Sequence, residues 1–322
     1  MRAQVIALAA AAALLSASIP SRAQAPYPSR PVRVIVPFPA GGSVDIVGRP
    51  LMEKLQNALG QPFVFDFRSG GASIIGTEAV ARAEPDGYTL LFTAAQHTIN
   101  PAVHIKLPYD TLGDFAAVSQ VVTGPLLLVV YPGVPAHNVQ ELVTFAKSSS
   151  KKLNYASAGV GSGFHLAAEK MKTMAGIDMV HVPYKGGAPA TADLIAGHVD
   201  LMFGSSVVMP HISTDRLRLL GVTTANRSPL LPEVPTIAEQ GLPGYEVKTW
   251  FGVFAPAKTP RPIVDLVARE IQNAVRDPKY AEHMRDLLLT PEGNTPEQFE
   301  QIVRHEVPEW IKAAKAANVQ SD

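Results

Sequence analysis

Cysteine is absent from all 322 residues. That excludes thiol nucleophiles, thiolate metal sites, a disulfide framework and the acylated cysteine of a lipoprotein anchor. Aromatic residues make up only 7% of the chain, and 28 Lys+Arg balance 28 Asp+Glu. A chain with so little net charge presents no field for a polyanion, so no nucleic-acid partner is expected. Neither Gly-x-Ser-x-Gly nor His-Glu-x-x-His occurs, and the nine histidines fall without ligand spacing. The common hydrolase and zinc-protease signatures are therefore missing. Ser162 and His165, three apart, could meet on one helical turn, but no third group is evident to orient such a base. The chain reads as a non-enzyme with no metal and no cofactor.

The first 25 residues carry Arg2, an apolar run from Val5 to Leu15 and the small-residue pattern Ala23-Gln24-Ala25. This is the pattern of a secretory signal peptide. The run has about half the ~20 residues of a membrane span, and no later segment is long and apolar enough to act as one. Removal of Arg2 and Arg22 leaves 26 basic against 28 acidic side chains, a net charge of −2. Export without cysteine points to the periplasm, and the mature chain is expected to be a monomer. Some 300 residues exceed what one core of ~100 to 200 residues organises, which predicts two lobes.

Apolar β-rich runs alternate with helical patterns: Val32 to Val36 then a helix near Val44 to Leu59, Phe63 to Phe67 then Ile74 to Ala83, Thr89 to Phe92, and Phe115 to Val122. Such alternation predicts α/β lobes with mostly parallel sheets and flanking helices. The pattern restarts after Leu126 to Tyr131, with a capping-box-like Asn138 and Glu141 opening a helix to about Lys147. Strands follow near Leu153 to Ala156, Asp178 to Val182 and Leu201 to Phe203, with helices from Phe164 and near Pro189 to Ala196. From Pro262 the pattern is helical, and a last helix opens at Thr295-Pro296-Glu297-Gln298. Residues 26–124 with 251–322 are read as lobe 1, and 125–250 as lobe 2. Val121 to Leu128 and Trp250 to Ala255 are candidates for the crossing strands, although ordinary core strands would look alike. Pro50 should kink or shift the helix that contains it.

The candidate binding residues sit where strands end. Phe38, Ala40, Gly41, Gly42, Ser43 and Asp45 follow a buried strand and open a helix. Paired glycines let the backbone approach a ligand, and a helix N-terminus offers unpaired N–H donors to an anion. Asp45 would serve its own amides rather than touch that anion; a plain Gly-rich turn is the alternative. Ser157, Gly159, Gly161 and Ser162 form a second such loop ahead of His165, which reads either as a ligand contact or as a packing residue. Phe164 stands where a dinucleotide fingerprint needs its third glycine, which argues against that cofactor. Ala95, Gln96 and His97, together with Gly204 and Ser205, close two further strands. Lys185, in another such loop, could pair with a carboxylate or simply be solvated. Ligands of open α/β sheets lie at carboxyl ends of strands, so these loops are expected to line one cleft.

Six blocks in order resemble the Bug, or TctC-type, family of tripartite tricarboxylate transporter receptors. They are Pro31 to Phe38 with Gly41 to Asp45, Pro85 to Leu90, Leu153 to Ser157, His181 to Gly186, Arg227 to Pro229 and Leu242 to Glu246. The resemblance implies a two-lobed, type II-like periplasmic binding protein that holds a small organic carboxylate by main-chain amides and hydroxyls. It also implies delivery to a two-subunit membrane permease; a sensing receptor that signals to another partner would look the same in sequence. Two departures stand out. Arg68-Ser69-Gly70-Gly71-Ala72-Ser73 replaces the family's Arg-Pro-Gly-Ala-Gly-Gly, and Gly204 stands where many members have Asp. Without that acid an ammonium-bearing ligand loses support, so a di- or tricarboxylate or an aromatic acid is expected ahead of an amino acid.

Overall fold

The computed structural model describes residues 26–316 and 319. Residues 1–25, read as a signal peptide, lie outside them. Among the described residues no helix is long and apolar enough to cross a membrane.

The first sheet combines β1 (Val32–Val36), β2 (Phe63–Phe67), β3 (Thr89–Ala94), β4 (Phe115–Pro125), β10 (Lys248–Pro256) and β11 (Thr290–Pro291) in the order β11-β4-β10-β3-β1-β2. The second combines β5 (Leu127–Val130), β6 (Leu153–Ser157), β7 (Met179–Pro183), β8 (Leu201–Gly204) and β9 (Arg218–Val222) in the order β7-β6-β8-β5-β9. Both sheets are mixed, which refines the expectation of mostly parallel ones. Each has a parallel block of three strands, β2-β1-β3 and β7-β6-β8, flanked by antiparallel strands. The antiparallel members arise because the chain leaves the first sheet along β4 and returns along β10, which pair with each other from Lys248↔Pro125 to Pro256↔Phe115.

The helices between these strands are α1 (Ser43–Leu59), α2 (Ile74–Ala81), α3 (Gln96–Val103), α4 (Val139–Ser148), α5 (Gly163–Ala175), α6 (Gly187–Ile195) and α7 (Met209–Ile212). After β10 come α8 (Arg261–Val275), α9 (Pro278–Asp286) and α10 (Pro296–Ala316). Local chemistry sets several of their ends. Thr295 Oγ1 accepts from Gln298 N and Gln298 Oε1 accepts from Thr295 N, a reciprocal capping box at α10. At α4, Asn138 accepts from Glu141 N while the Glu141 carboxylate takes the amide of His137. Pro50 does not interrupt α1. The carbonyl it leaves without an amide partner belongs to Ile46, on the helix's exposed side.

Each sheet is covered on both faces by buried apolar residues: Val34, Leu51, Val253 and Ile271 against Ile35, Trp250, Phe254 and Phe299 in the first, and Leu128, Tyr155 and Phe203 against Val129, Met202 and Val222 in the second. The crossing is fastened by Thr223, whose hydroxyl accepts from Leu126 N (2.8 Å) and donates to Val247 O (2.6 Å). The last helix, read as part of lobe 1, is shared between the sheets. It packs on the first through Phe299 but also reaches α5, where Ala314 joins Ile99, Val103 and Leu166.

Candidate functional site

β1 and β6 occupy the same place in their parallel blocks. From each, the chain moves next to a neighbour on one side, then to the neighbour on the other. The loop after such a central strand stands at a topological switch point, where open α/β sheets leave a crevice. The two glycine-rich loops, 37–42 and 158–162, both leave from these points. α3 ties the second loop to the first sheet's side: Gln96 Nε2 donates across to Gly161 O at 3.1 Å, and a Cβ on Gly161 would lie 2.7 Å from Val103.

In the first loop Phe38 is half-buried, and Pro39 to Ser43 are exposed. Gly41 adopts φ +79°, and Gly42 caps α1 in an extended conformation with no side chain over the first amides. Asp45 is buried, and its Oδ2 accepts from Gly41 N at 2.7 Å while Arg49 Nε lies 2.6 Å from Oδ1. The carboxylate thus folds the loop back on the helix, while no side chain caps the first turn of α1. Asp45 is committed to its own loop and to Arg49.

In the second loop Ser157 is buried, with Oγ 2.6 Å from His181 Nε2 and accepting from Gly159 N at 3.1 Å. Ser162 caps α5 by accepting from His165 N, which leaves its hydroxyl proton free for a further acceptor. His165 Nδ1 accepts from Gly161 N at 3.0 Å. Its ring stacks on His181 at 3.9 Å and 7°, and His181 stacks in turn on Tyr155 at 4.9 Å. Burial, aided by His181 and Lys172, brings His165 down to about 3. Burial likewise lowers His181 to about 4, with Lys172 adding to the fall and Glu169 opposing it.

Four other expectations meet different outcomes. His97 is wholly buried among Tyr109, Phe115 and Phe254, its ring 4.6 Å from that of Phe254. With no exposed surface it offers nothing to a ligand, contrary to the role expected of it: α3, a helix where a loop end was expected, turns His97 inwards. Ala95 is buried, its amide bonded to Trp250 O, and acts as a strand end rather than a polar contact. Gly204 is also buried, and a Cβ there would lie 3.0 Å from Val208, while Ser205 is half-buried beside it. Lys185 is exposed with no hydrogen-bond or ion-pair partner among the described residues.

Residues that sequence reading did not single out support the loops. Asn100 Nδ2 donates to Ala72 O (3.0 Å) and Ser73 Oγ (3.2 Å), and its Oδ1 accepts from Gln96 (2.6 Å). Ala72 and Ser73 lie at φ +51° and +74°, a left-handed region that disfavours non-glycine residues. The departure from the family's Gly-Gly is therefore a backbone strain that Asn100 holds in place. A large cavity, about 1070 Å³, lies elsewhere, along α10 between Lys170, Trp250 and Glu306. Its principal polar groups already serve one another: Glu306 accepts from Thr98 and Trp250, and Lys170 donates to Glu246 O.

Residues 47–319 match the family described as tripartite tricarboxylate transporter family receptor. The chain belongs to that family. A protein encoded in the tcbD-tcbE intergenic region of Pseudomonas sp. (strain P51) is 40% identical over 288 residues, 89% of this chain and 86% of that one. Among solved structures, Rpa4515 of R. palustris with adipate superposes with a TM-score of 0.84 at 35% identity, covering 92% of this chain and all of that one. The periplasmic binding protein BugD gives 0.81 at 35% identity over the same shares. This receptor family is periplasmic, and its members bind solutes rather than turn them over. The fold is that of a two-lobed periplasmic binding protein.

Proposed function

We propose that this receptor is exported to the periplasm, its signal peptide removed, and there takes up a small non-amine organic acid for a two-subunit membrane permease, without chemical change to the solute. One observation carries the reading: a glycine-rich loop leaves the switch point of each sheet, and Gln96 spans from one side to the other at Gly161. The carboxylate lies between the first-turn amides of α1, with Ser43, and the second loop, with Ser162. The adipate held by its 35%-identical neighbour supports the solute class. Lobe 1 comprises 26–124 and 251–322 and lobe 2 comprises 125–250, a division favoured by the β4–β10 pairing that carries the chain out and back. The discrimination against amines follows from Gly204, which offers no acid, and from Val208, which crowds any side chain there.

A thermal-shift panel of organic acids, amino acids and sugars tests this, because a ligand of the native state stabilises it by about 2.7 kcal/mol at a hundredfold excess over Kd. Mono-, di- or tricarboxylates are expected to raise the melting temperature. Response to acidic amino acids alone would overturn the preference, and response to sugars alone would overturn the class.

A further inference from the structure

Gly161 is held from both sides of its residue. Its N–H donates to His165 Nδ1 and its carbonyl accepts from Gln96, which belongs to the other sheet. At φ +73°, with Val103 where a Cβ would stand, Gly161 has no side chain to anchor it, and these two bonds hold its peptide groups. Two residues earlier, Gly159 is tied through Ser157 to His181, whose ring lies flat against His165. The stacked imidazoles therefore fasten the loop at alternate residues.

We propose that His165 is a positioning residue for the solute: its unprotonated Nδ1 holds the Gly161 amide in place, and His181 braces the ring. The proposal rests on the second glycine loop being part of the solute site. A ring that only filled space would need no acceptor aimed at a loop amide, and helix capping is already performed by Ser162. An imidazolium carries N–H at both nitrogens and cannot accept from Gly161. Burial keeps the ring neutral, aided by His181 and Lys172. His181 comes from β7 and Tyr155 from β6, while Glu169 and Lys172 lie on α5 itself. Glu169, bonded to the Tyr155 hydroxyl and to Lys172 2.7 Å away, opposes the lowering of His181 without reversing it.

The test uses the mature chain and two variants. His165→Asn keeps an acceptor near the Nδ1 position, and His165→Leu removes it. Long-range proton–nitrogen correlation on the wild type at pH 7 should show His165 as the Nε2–H tautomer. Exchange of the Gly161 amide should accelerate about tenfold in His165→Leu and stay near the wild-type rate in His165→Asn. With adipate as the probe, Kd should rise about tenfold in His165→Leu and be largely restored in His165→Asn. An Nδ1–H tautomer, or equal losses in the two variants, would overturn the proposal. Failure of adipate and every other carboxylate to bind the wild type would count against the solute reading instead, while the tautomer and exchange measurements still decide whether His165 holds the loop.

Discussion

His97→Phe is expected to stabilise the protein at neutral pH and to stabilise it further in acid. Burial lowers His97 to about 3, well under its ordinary 6.5. The folded state therefore keeps the ring neutral while the unfolded chain takes up a proton below about pH 6.5. Stability from such a group is fully present above pH 6.5 and is lost as the pH falls towards the folded value, at about 1.4 kcal/mol per pH unit. At pH 5 the loss is about 2 kcal/mol for His97, and His165, also buried and lowered to about 3, adds a similar amount. His97 further costs stability at every pH, since neither ring nitrogen has a hydrogen-bond partner among the described residues. Phenylalanine keeps the edge contact to Phe115 and the tilted contact to Phe254 and removes both costs. Denaturant titrations at pH 7.5 and pH 5 check this: the gain should be present at the first and larger by about 2 kcal/mol at the second. Equal or lower stability at pH 5 would show that the ring is hydrogen-bonded or charged in the folded state.

Asp45→Ala is expected to weaken solute binding more than any change to an exposed loop residue. The buried carboxylate is the acceptor that holds Gly41 at φ +79°, and Arg49 neutralises it from the solvent side. A hydrogen bond to a charged group contributes about 1.5–3 kcal/mol, and its loss frees the loop as well as leaving the Gly41 amide unpaired. A fall in affinity of about tenfold or more should accompany a stability loss of that size. Asp45→Asn retains an oxygen for Gly41 and should lie between the two. If Asp45→Ala bound solute as tightly as the wild type, the loop would not depend on its carboxylate.

Much of this arrangement was legible in the sequence where residue types dictate backbone geometry. Paired glycines after Val32 to Val36 and after Leu153 to Ala156 announced both loops, and Thr295 with Gln298 announced α10 to the residue. Asp45 was readable as a support because two negative charges repel. What escaped was set by tertiary contact. The segment Gln96-His97-Thr98-Ile99-Asn100-Pro101 has a loop's composition, yet it forms α3, in which Asn100 and Thr98 reach residues distant in sequence, Ala72 and Glu306, as well as local partners. His181 is one of nine histidines, and nothing local shows that a neighbouring strand places it under His165. The antiparallel return of β10 depends on pairing across 120 residues of intervening chain, which no periodicity encodes.

The central claim is that amides and hydroxyls at two switch-point loops hold a carboxylate group. Calorimetric titration of the mature chain with its best organic acid, and with the methyl ester of that acid, tests this most directly. The acid should bind one to one, and the ester, which lacks the charge and carries one added methyl group, should lose about a hundredfold or more in affinity as its charge-assisted hydrogen bonds disappear. An ester that bound as tightly as the acid would contradict the account.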